Sequence, residues 1–201
     1  MRNTNKDKVM EIHIIRHGQT AANEQGLYCG ATDLPLSGKG IAELLDLRKQ
    51  GIYPKHVSLY FSSGLMRTEQ TLDLLYGSVQ RTALPKFAEF NFGDFEMKSH
   101  EALKEQLDYQ AWITDVAGIF SCPGGENRQE FTRRIAEGYE LLTKNAQHGN
   151  DLLVVCHGGV IACIMEQLFP NTCDFYTWQP KPGRGYTLVF ASGRLQLYKS
   201  I

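Results

Sequence analysis

Three short clusters hold residue types suited to a single task. They are Arg16-His17-Gly18-Gln19-Thr20-Ala21-Ala22-Asn23, Ser62-Ser63-Gly64-Leu65-Met66-Arg67, and His157-Gly158-Gly159. Arginine presents a rigid fork of N–H donors that matches phosphoryl oxygens, and imidazole adds donors and lone pairs. Two arginines and two histidines brought together would make a small, strongly positive pocket for a dianionic phosphoryl group. Each cluster alone proves little. Arg-His-Gly is a common triplet, Arg67 by itself is most simply a solvated helix residue, and His157 by itself is a satisfied strand-end histidine.

The elements between the clusters decide whether they can meet. Glu11–Ile15, Val57–Phe61 and Leu152–Cys156 are short apolar runs of 5 residues that end at polar residues, the pattern of buried strands. Each cluster directly follows one of them. Helical periodicity runs through Gly40–Lys49, Leu65–Tyr76, Glu126–Lys144 and Val160–Leu168, with Ser37 and Ser63 in N-cap positions. Strand–helix alternation predicts an α/β fold in three layers, a mainly parallel sheet flanked by helices. Ligands of such sheets bind beyond the carboxyl ends of the strands, so all three clusters are delivered to one edge. Tyr186–Phe190 and Arg194–Lys199 alternate with period two about Ala-Ser-Gly and predict a C-terminal hairpin. Residues 1–10 are expected to form a loose tail. The polar stretch at about 93–122, with helical pieces at Ser99–Leu107 and Asp108–Val116, is expected to form a small helical lid inserted in a single domain spanning 1–201.

The motifs in and around these clusters resemble the histidine phosphatase superfamily, the phosphoglycerate mutase-like family. An apolar strand running into Arg-His-Gly-Gln-Thr-x-x-Asn is matched by Ile14–Asn23, and Ser-Ser-x-x-x-Arg-x-x-Gln-Thr by Ser62–Thr71. A Glu shortly before Phe-Gly-x-Phe-Glu is matched by Glu89 and Phe92–Glu96, and the closing apolar strand with His-Gly-Gly by Val154–Gly159. Pro123–Glu126 adds a familiar Pro-Gly-Gly-Glu ahead of a long helix. The likeness covers about residues 11–168 and departs at Cys156, where the family usually has Ser or Thr.

The resemblance implies an enzyme that hydrolyses phosphomonoesters without a metal or other cofactor. His17 would attack phosphorus through one ring nitrogen while a hydrogen bond holds the other. Arg16, Arg67 and His157 would stabilise charge on the nonbridging oxygens. Asn23, Gln19 and the Gly158 amide would add neutral donors. Glu89 would protonate the leaving alkoxide and then activate water. Glu96, seven residues on, is the competing carboxyl.

Three other patterns are decoys. Cys122-Pro-Gly-Gly-Glu-Asn-Arg128 spells the CxxGxxR loop of cysteine phosphatases, but Ser121 and Gln129 depart from its flanks. His13 and His17 have a helical metal spacing but lie on or just after a strand, with no zincin-type carboxylate between them. Cys156 and His157 are strand neighbours and should point to opposite faces.

A phosphoglycerate mutase-type transfer shares the same pocket, as would a broad-specificity or sugar phosphatase. Mutase relatives carry a longer insertion with extra basic residues after the acidic Glu. Here only Lys98 and Lys104 stand between Glu89 and Gly124, which favours hydrolysis. A noncatalytic phosphate sensor would have lost His17 or Glu89. Gly26–Gly30, Phe92–Met97 and Ala111-Trp112 look like the α-ribazole phosphatase branch. That likeness implies a nucleotide-like ester such as α-ribazole 5'-phosphate, with Cys29 and Gly30 at the substrate and Tyr28, Phe92 or Trp112 holding its base. Lid packing explains those aromatics equally well.

Composition sets the outer bounds. The 201 residues are 42% hydrophobic and 21% charged, enough for a core and unlike a disordered chain. A net charge of −1 argues against general attraction to nucleic acid or anionic membrane, and no apolar run approaches a membrane span. The 5 cysteines have no CxxC spacing and the N-terminus lacks a secretory pattern, so a reducing, cytoplasmic setting is expected, as monomer or homodimer, with a small phosphorylated metabolite as partner.

Overall fold

The computed structural model describes residues 9–146 and 150–201. Its sheet is built from β1 (Met10–Arg16), β2 (Leu59–Ser62), β3 (Arg81–Ala83), β4 (Leu152–Cys156), β5 (Gly185–Ala191) and β6 (Arg194–Ser200). The strand order is β3-β2-β4-β1-β5-β6. β3, β2, β4 and β1 run parallel, β5 is antiparallel to β1, and β5 and β6 form the expected hairpin.

Both faces of the central strands are covered. Along β1 and β4, Ile12, Ile14, Leu152, Val154 and Cys156 enter one core, while Ile15, Leu153 and Val155 enter the other. The second core is closed by α2 (Gly38–Lys49) and α3 (Met66–Tyr76), through Leu44, Leu72 and Leu75. The first is closed by α6 (Arg128–Ala146) and α7 (Gly158–Leu168), through Phe131, Ile135, Val160 and Ile164. Burial of such side chains contributes roughly 1.5–3 kcal/mol each. Arg16 lies beside Cys156, and Ser62 beside Val155, so the three expected clusters leave neighbouring strands at the same height.

Several local expectations are corrected. Residues 1–8 of the expected tail lie outside the described residues, and Met10 already pairs with Phe190 in β1. Ser37 caps α2 through the Gly40 amide, but the N-cap position of α3 falls on Leu65, which has no side-chain cap, and Ser63 stands two residues before it with its hydroxyl near Leu65 N and Thr68 Oγ1. β3 has no apolar pattern and was not foreseen. The 93–122 stretch contains a 3₁₀ turn (Gly93–Phe95), α4 (His100–Leu103) and α5 (Leu107–Ile113), shorter than the two helical pieces expected. Ahead of them lies α1 (Ala21–Glu24), a single turn after β1.

Candidate active site

At the carboxyl ends of β1 and β4 a cavity of about 400 Å³ opens, with Arg16, His17, Asn23, Cys29, Glu89 and Gly159 in its wall, while Arg67, His157 and Gly158 are not among its lining residues and stand behind that wall. His17 is almost fully buried at its inner end. Its Nδ1 lies 2.6 Å from the Gly18 carbonyl oxygen, which only accepts, so Nδ1 carries the proton and Nε2 keeps its lone pair. Burial, and then the nearby guanidiniums of Arg67 and Arg16, hold His17 well below the ordinary imidazole value of 6.5. The ring is a neutral base with one free nitrogen.

His157 packs edge-on against His17, with ring centroids 5.1 Å apart. Its Nδ1 accepts from Arg67 Nε at 3.3 Å and its Nε2 donates to Ser63 Oγ at 2.8 Å. Burial, His17 and the arginines push it well below 6.5 as well. The site therefore holds two arginines and two neutral histidines, rather than the four positive groups the sequence suggested. His157 spends both nitrogens on protein partners. Ser63, expected as a helix cap, is one of those partners.

Both arginines are pre-set. Arg67 is buried and donates through Nη1 to Thr32 O at 2.9 Å and through Nη2 to Gly30 O at 2.7 Å. Arg16 donates from Nη1 to Pro180 O at 2.9 Å, while its Nε is buried without a hydrogen-bond partner. A buried donor without a partner calls for an explanation, and Arg16 is the one residue with such a donor among those lining the cavity. Burial lowers the Arg16 pKa, with Glu89 opposing that and Arg67 adding to it.

Glu89 accepts from the Gly159 amide at 3.0 Å, at the first turn of α7. The two glycines there let the Glu89 carboxylate and the Arg16 guanidinium come close to the start of α7. A Cβ on Gly159 would stand 2.5 Å from Glu89 Oε1, and one on Gly158 would stand 3.0 Å from Arg16 Cζ. Behind Glu89, Arg134 donates to Lys86 O, Ala88 O and Glu89 O at 2.7, 2.8 and 3.3 Å and pairs with Glu126 at 2.6 Å. This accounts for the Glu of the Pro-Gly-Gly-Glu motif.

The other expected residues divide. Asn23 lines the cavity, but its Oδ1 accepts from the Thr20 amide and hydroxyl at 3.0 and 3.1 Å, so a ligand would meet its NH₂ group. Cys29 lines the cavity, with Sγ 3.5 Å from Thr32 O and its pKa raised by burial. Gly30 serves through its backbone. Gln19 is not among the residues lining the cavity, and its carbonyl accepts from Ser37 N at 2.9 Å. Sequence reasoning missed Thr71, whose Oγ1 accepts from Gly18 N at 3.0 Å and donates to Arg67 O at 2.7 Å. The Gln-Thr at the end of the second motif was its only signal. Glu89 Oε1 also accepts from the Phe90 amide at 3.0 Å, so it holds one amide on each oxygen. Glu96 does not line the cavity, and its oxygens are taken by four backbone amides and the Thr32 hydroxyl, which leaves it unfit as proton donor.

Both cysteine decoys resolve. Cys122 is buried, its thiol is pushed up to about 12 by burial, and Arg128 lies 3.3 Å from Glu166. Cys156 points into the first core. Among the described residues no group of three or more His, Cys, Asp and Glu side chains could hold a metal ion, and no helix is long and apolar enough to cross a membrane.

The low pKa values of His17 and His157 have a consequence for stability. Both rings are neutral in the folded chain and gain a proton on unfolding once the pH is below about 6.5. The unfolded state then binds more protons, so their contribution is complete above 6.5 and is lost as pH falls toward the depressed folded values. Each is expected to remove up to about 1.4 kcal/mol per pH unit in that window. Tm followed from pH 7 to pH 5 checks this. The slope should be shallower in His17→Asn, and an unchanged slope would show that His17 is not buried neutral.

A family model of the histidine phosphatase superfamily (branch 1) matches residues 12–198, and the chain belongs to that superfamily. Within it, the adenosylcobalamin/alpha-ribazole phosphatase of Escherichia coli K12 is 32% identical over 163 residues, covering 79% of each chain. The 2,3-bisphosphoglycerate-dependent phosphoglycerate mutase of Rhodopseudomonas palustris is 27% identical over 173 residues, covering 79% of this chain and 82% of the mutase. Among solved structures, the alpha-ribazole phosphatase from Shigella flexneri has a TM-score of 0.80 at 27% identity, with 94% of each chain covered.

Proposed function

We propose that this chain hydrolyses a nucleotide-like phosphomonoester of the α-ribazole 5'-phosphate type through a phosphohistidine on His17. The observation that carries the reading is the neutral His17 ring. Its Nδ1 is held on Gly18 O and its Nε2 is free in the same cavity as the unpaired Arg16 Nε. Nε2 attacks phosphorus, the P–O bond to the alcohol breaks, and Glu89 delivers a proton to the departing oxygen. The Glu89 carboxylate then takes a proton from water as that water attacks the phosphohistidine, which releases phosphate and restores His17. Arg16 and Arg67 balance charge on the equatorial oxygens. His157 holds Arg67 in orientation, and Asn23 and the Gly158 amide offer neutral donors.

The rest of the cavity suits an aliphatic alcohol that carries an aromatic base. Tyr28, Phe90, Phe92, Trp112, Phe131 and Phe175 line it, and Tyr28, Phe92 and Trp112 are only partly buried. Arg128, the other arginine in the wall, is paired with Glu166, so a second phosphate or a carboxylate finds little free positive charge there. That favours hydrolysis over a bisphosphoglycerate-type transfer. The same reading takes residues 1–201 as one catalytic domain with 93–122 as its lid. The five cysteines are unpaired thiols, which suits a reducing cytoplasm.

The test is a panel of phosphomonoesters assayed in excess chelator. The expected result is full activity without added metal, highest on α-ribazole 5'-phosphate or another nucleoside monophosphate, with phosphate released to water. Loss of activity on chelation with rescue by Mg²⁺ or Zn²⁺ would overturn the mechanism. Transfer to added phosphoglycerate in preference to water would overturn the hydrolytic reading.

A further inference from the structure

We infer that Glu96 is a positioning residue for Arg67, acting through one peptide group at the base of the 93–122 segment. The inference rests on the phosphoryl-site reading of Arg67. Glu96 Oε1 accepts from the amides of Gly30, Ala31 and Phe92 at 3.0, 2.9 and 3.1 Å. Its Oε2 accepts from the amides of Gly30 and Thr32 at 3.0 and 3.3 Å and from Thr32 Oγ1 at 2.7 Å. A carboxylate offers about four lone-pair sites, and these are filled. Three successive amides converging on one anion form a compact nest.

The carbonyl side of the same turn faces Arg67. Gly30 O accepts from Nη2 at 2.7 Å and Thr32 O from Nη1 at 2.9 Å. The Gly30 carbonyl and the Ala31 amide belong to a single peptide unit, and no cis bond is present among the described residues. In a trans unit the C=O and N–H point in opposite directions. The Gly30–Ala31 peptide therefore stands between a carboxylate on its N–H side and a guanidinium on its C=O side. Its dipole is aligned with both charges, and each hydrogen bond strengthens the other. Position 30 has no room for a side chain, since a Cβ there would lie 1.6 Å from Phe90 O. From Arg67 the line continues through Nε to His157 Nδ1 at 3.3 Å.

The same carboxylate ties this line to the segment over the cavity. Immediately after Glu96, Met97 donates to Tyr28 O at 2.7 Å, and Tyr28 donates to Lys98 O at 3.0 Å. Met97 holds φ +59°, a conformation that costs a non-glycine residue on the order of 1 kcal/mol or more. The 96–98 strip is thus pinned against residues 28–32, and Glu96 joins that strip to the arginine that meets the phosphoryl group.

Glu96→Gln keeps the size and replaces one oxygen with an NH₂ group. Whichever way the amide is turned, that group faces at least two backbone donors, so the 30–32 turn is released and Arg67 loses its preset direction. The expected loss in kcat/KM is roughly 10- to 100-fold, the scale of an ångström-level misplacement, with a parallel rise in Ki for orthovanadate. Because Glu96 acts through Arg67, the double variant with Arg67→Ala should be no worse than Arg67→Ala alone. Thr32→Val, which removes only the 2.7 Å hydroxyl donor, should give a smaller loss in the same direction and again none on the Arg67→Ala background. It carries the test if Glu96→Gln does not fold. Losses that multiply with Arg67→Ala, or a Glu96→Gln enzyme within twofold of the parent, overturn the inference while leaving the phosphoryl site intact. If Arg67→Ala itself costs nothing, the assignment of Arg67 fails and this inference with it.

Discussion

His17→Ala is expected to abolish turnover, by on the order of 10⁶ in kcat, the scale seen when a hydrolase loses its nucleophile. The fold should survive. His17 lies just past the end of β1, and its partner, the Gly18 carbonyl, is its chain neighbour rather than a core contact. Tm should therefore move by only a few degrees. In the parent enzyme, acid quench after mixing with substrate should trap a phosphoenzyme that is labile in acid and stable in base, as a phosphoramidate is. No such species should form in His17→Ala. Cys122→Ser is the informative control, since its thiol is buried and pushed up to about 12. If that variant is dead and His17→Ala is active, the nucleophile has been misassigned.

Glu89→Gln carries the second large effect, and its signature is leaving-group dependence. An alkyl phosphate departs as a basic alkoxide and needs a proton, whereas p-nitrophenolate does not. The variant should lose on the order of 10²–10⁴ in rate on the alkyl ester and much less in phosphoenzyme formation from p-nitrophenyl phosphate. Rapid quench is required, because steady-state turnover also includes the water attack in which Glu89 participates. Geometry favours Glu89 over Glu96. Glu89 lines the cavity and, among the described residues, accepts only from the amides of Phe90 and Gly159, each at 3.0 Å, while Glu96 lies outside the cavity lining and is enclosed by five distinct donors. Equal slowing of both esters in Glu89→Gln, with the selective loss found in Glu96→Gln, would reverse the assignment.

Much of this arrangement is legible along the chain, for reasons that differ by element. β4 reads as a strand because it is buried on both faces, and its run Leu-Leu-Val-Val-Cys is apolar throughout. The major helices read through their apolar spacing. β3 does not read at all, since Arg-Thr-Ala has no pattern and becomes a strand only where β2 offers a free edge. The short helices of 93–122 also resist reading. At 4 and 7 residues they are too short to show a helical period, and they take their shape from contacts such as Tyr28 with Tyr109 and Trp112, far away in sequence.

The candidate site divides along the same line. Which residues stand at the strand ends is a local matter, set by where an apolar run stops, so Arg16, His17, Arg67 and His157 could be named from types and spacing. Their charge and their partners are not local. The two histidines are neutral because the folded chain buries them beside two guanidiniums. Ser63 gains a partner in His157, 94 residues on, that no local pattern announces. Glu96 closes the Phe-Gly-x-Phe-Glu motif, but the motif does not reveal its role, because four of its five donors lie 64 to 66 residues earlier in the chain. Desolvation and long-range hydrogen bonding depend on what packing brings close, and periodicity along a sequence carries no record of either.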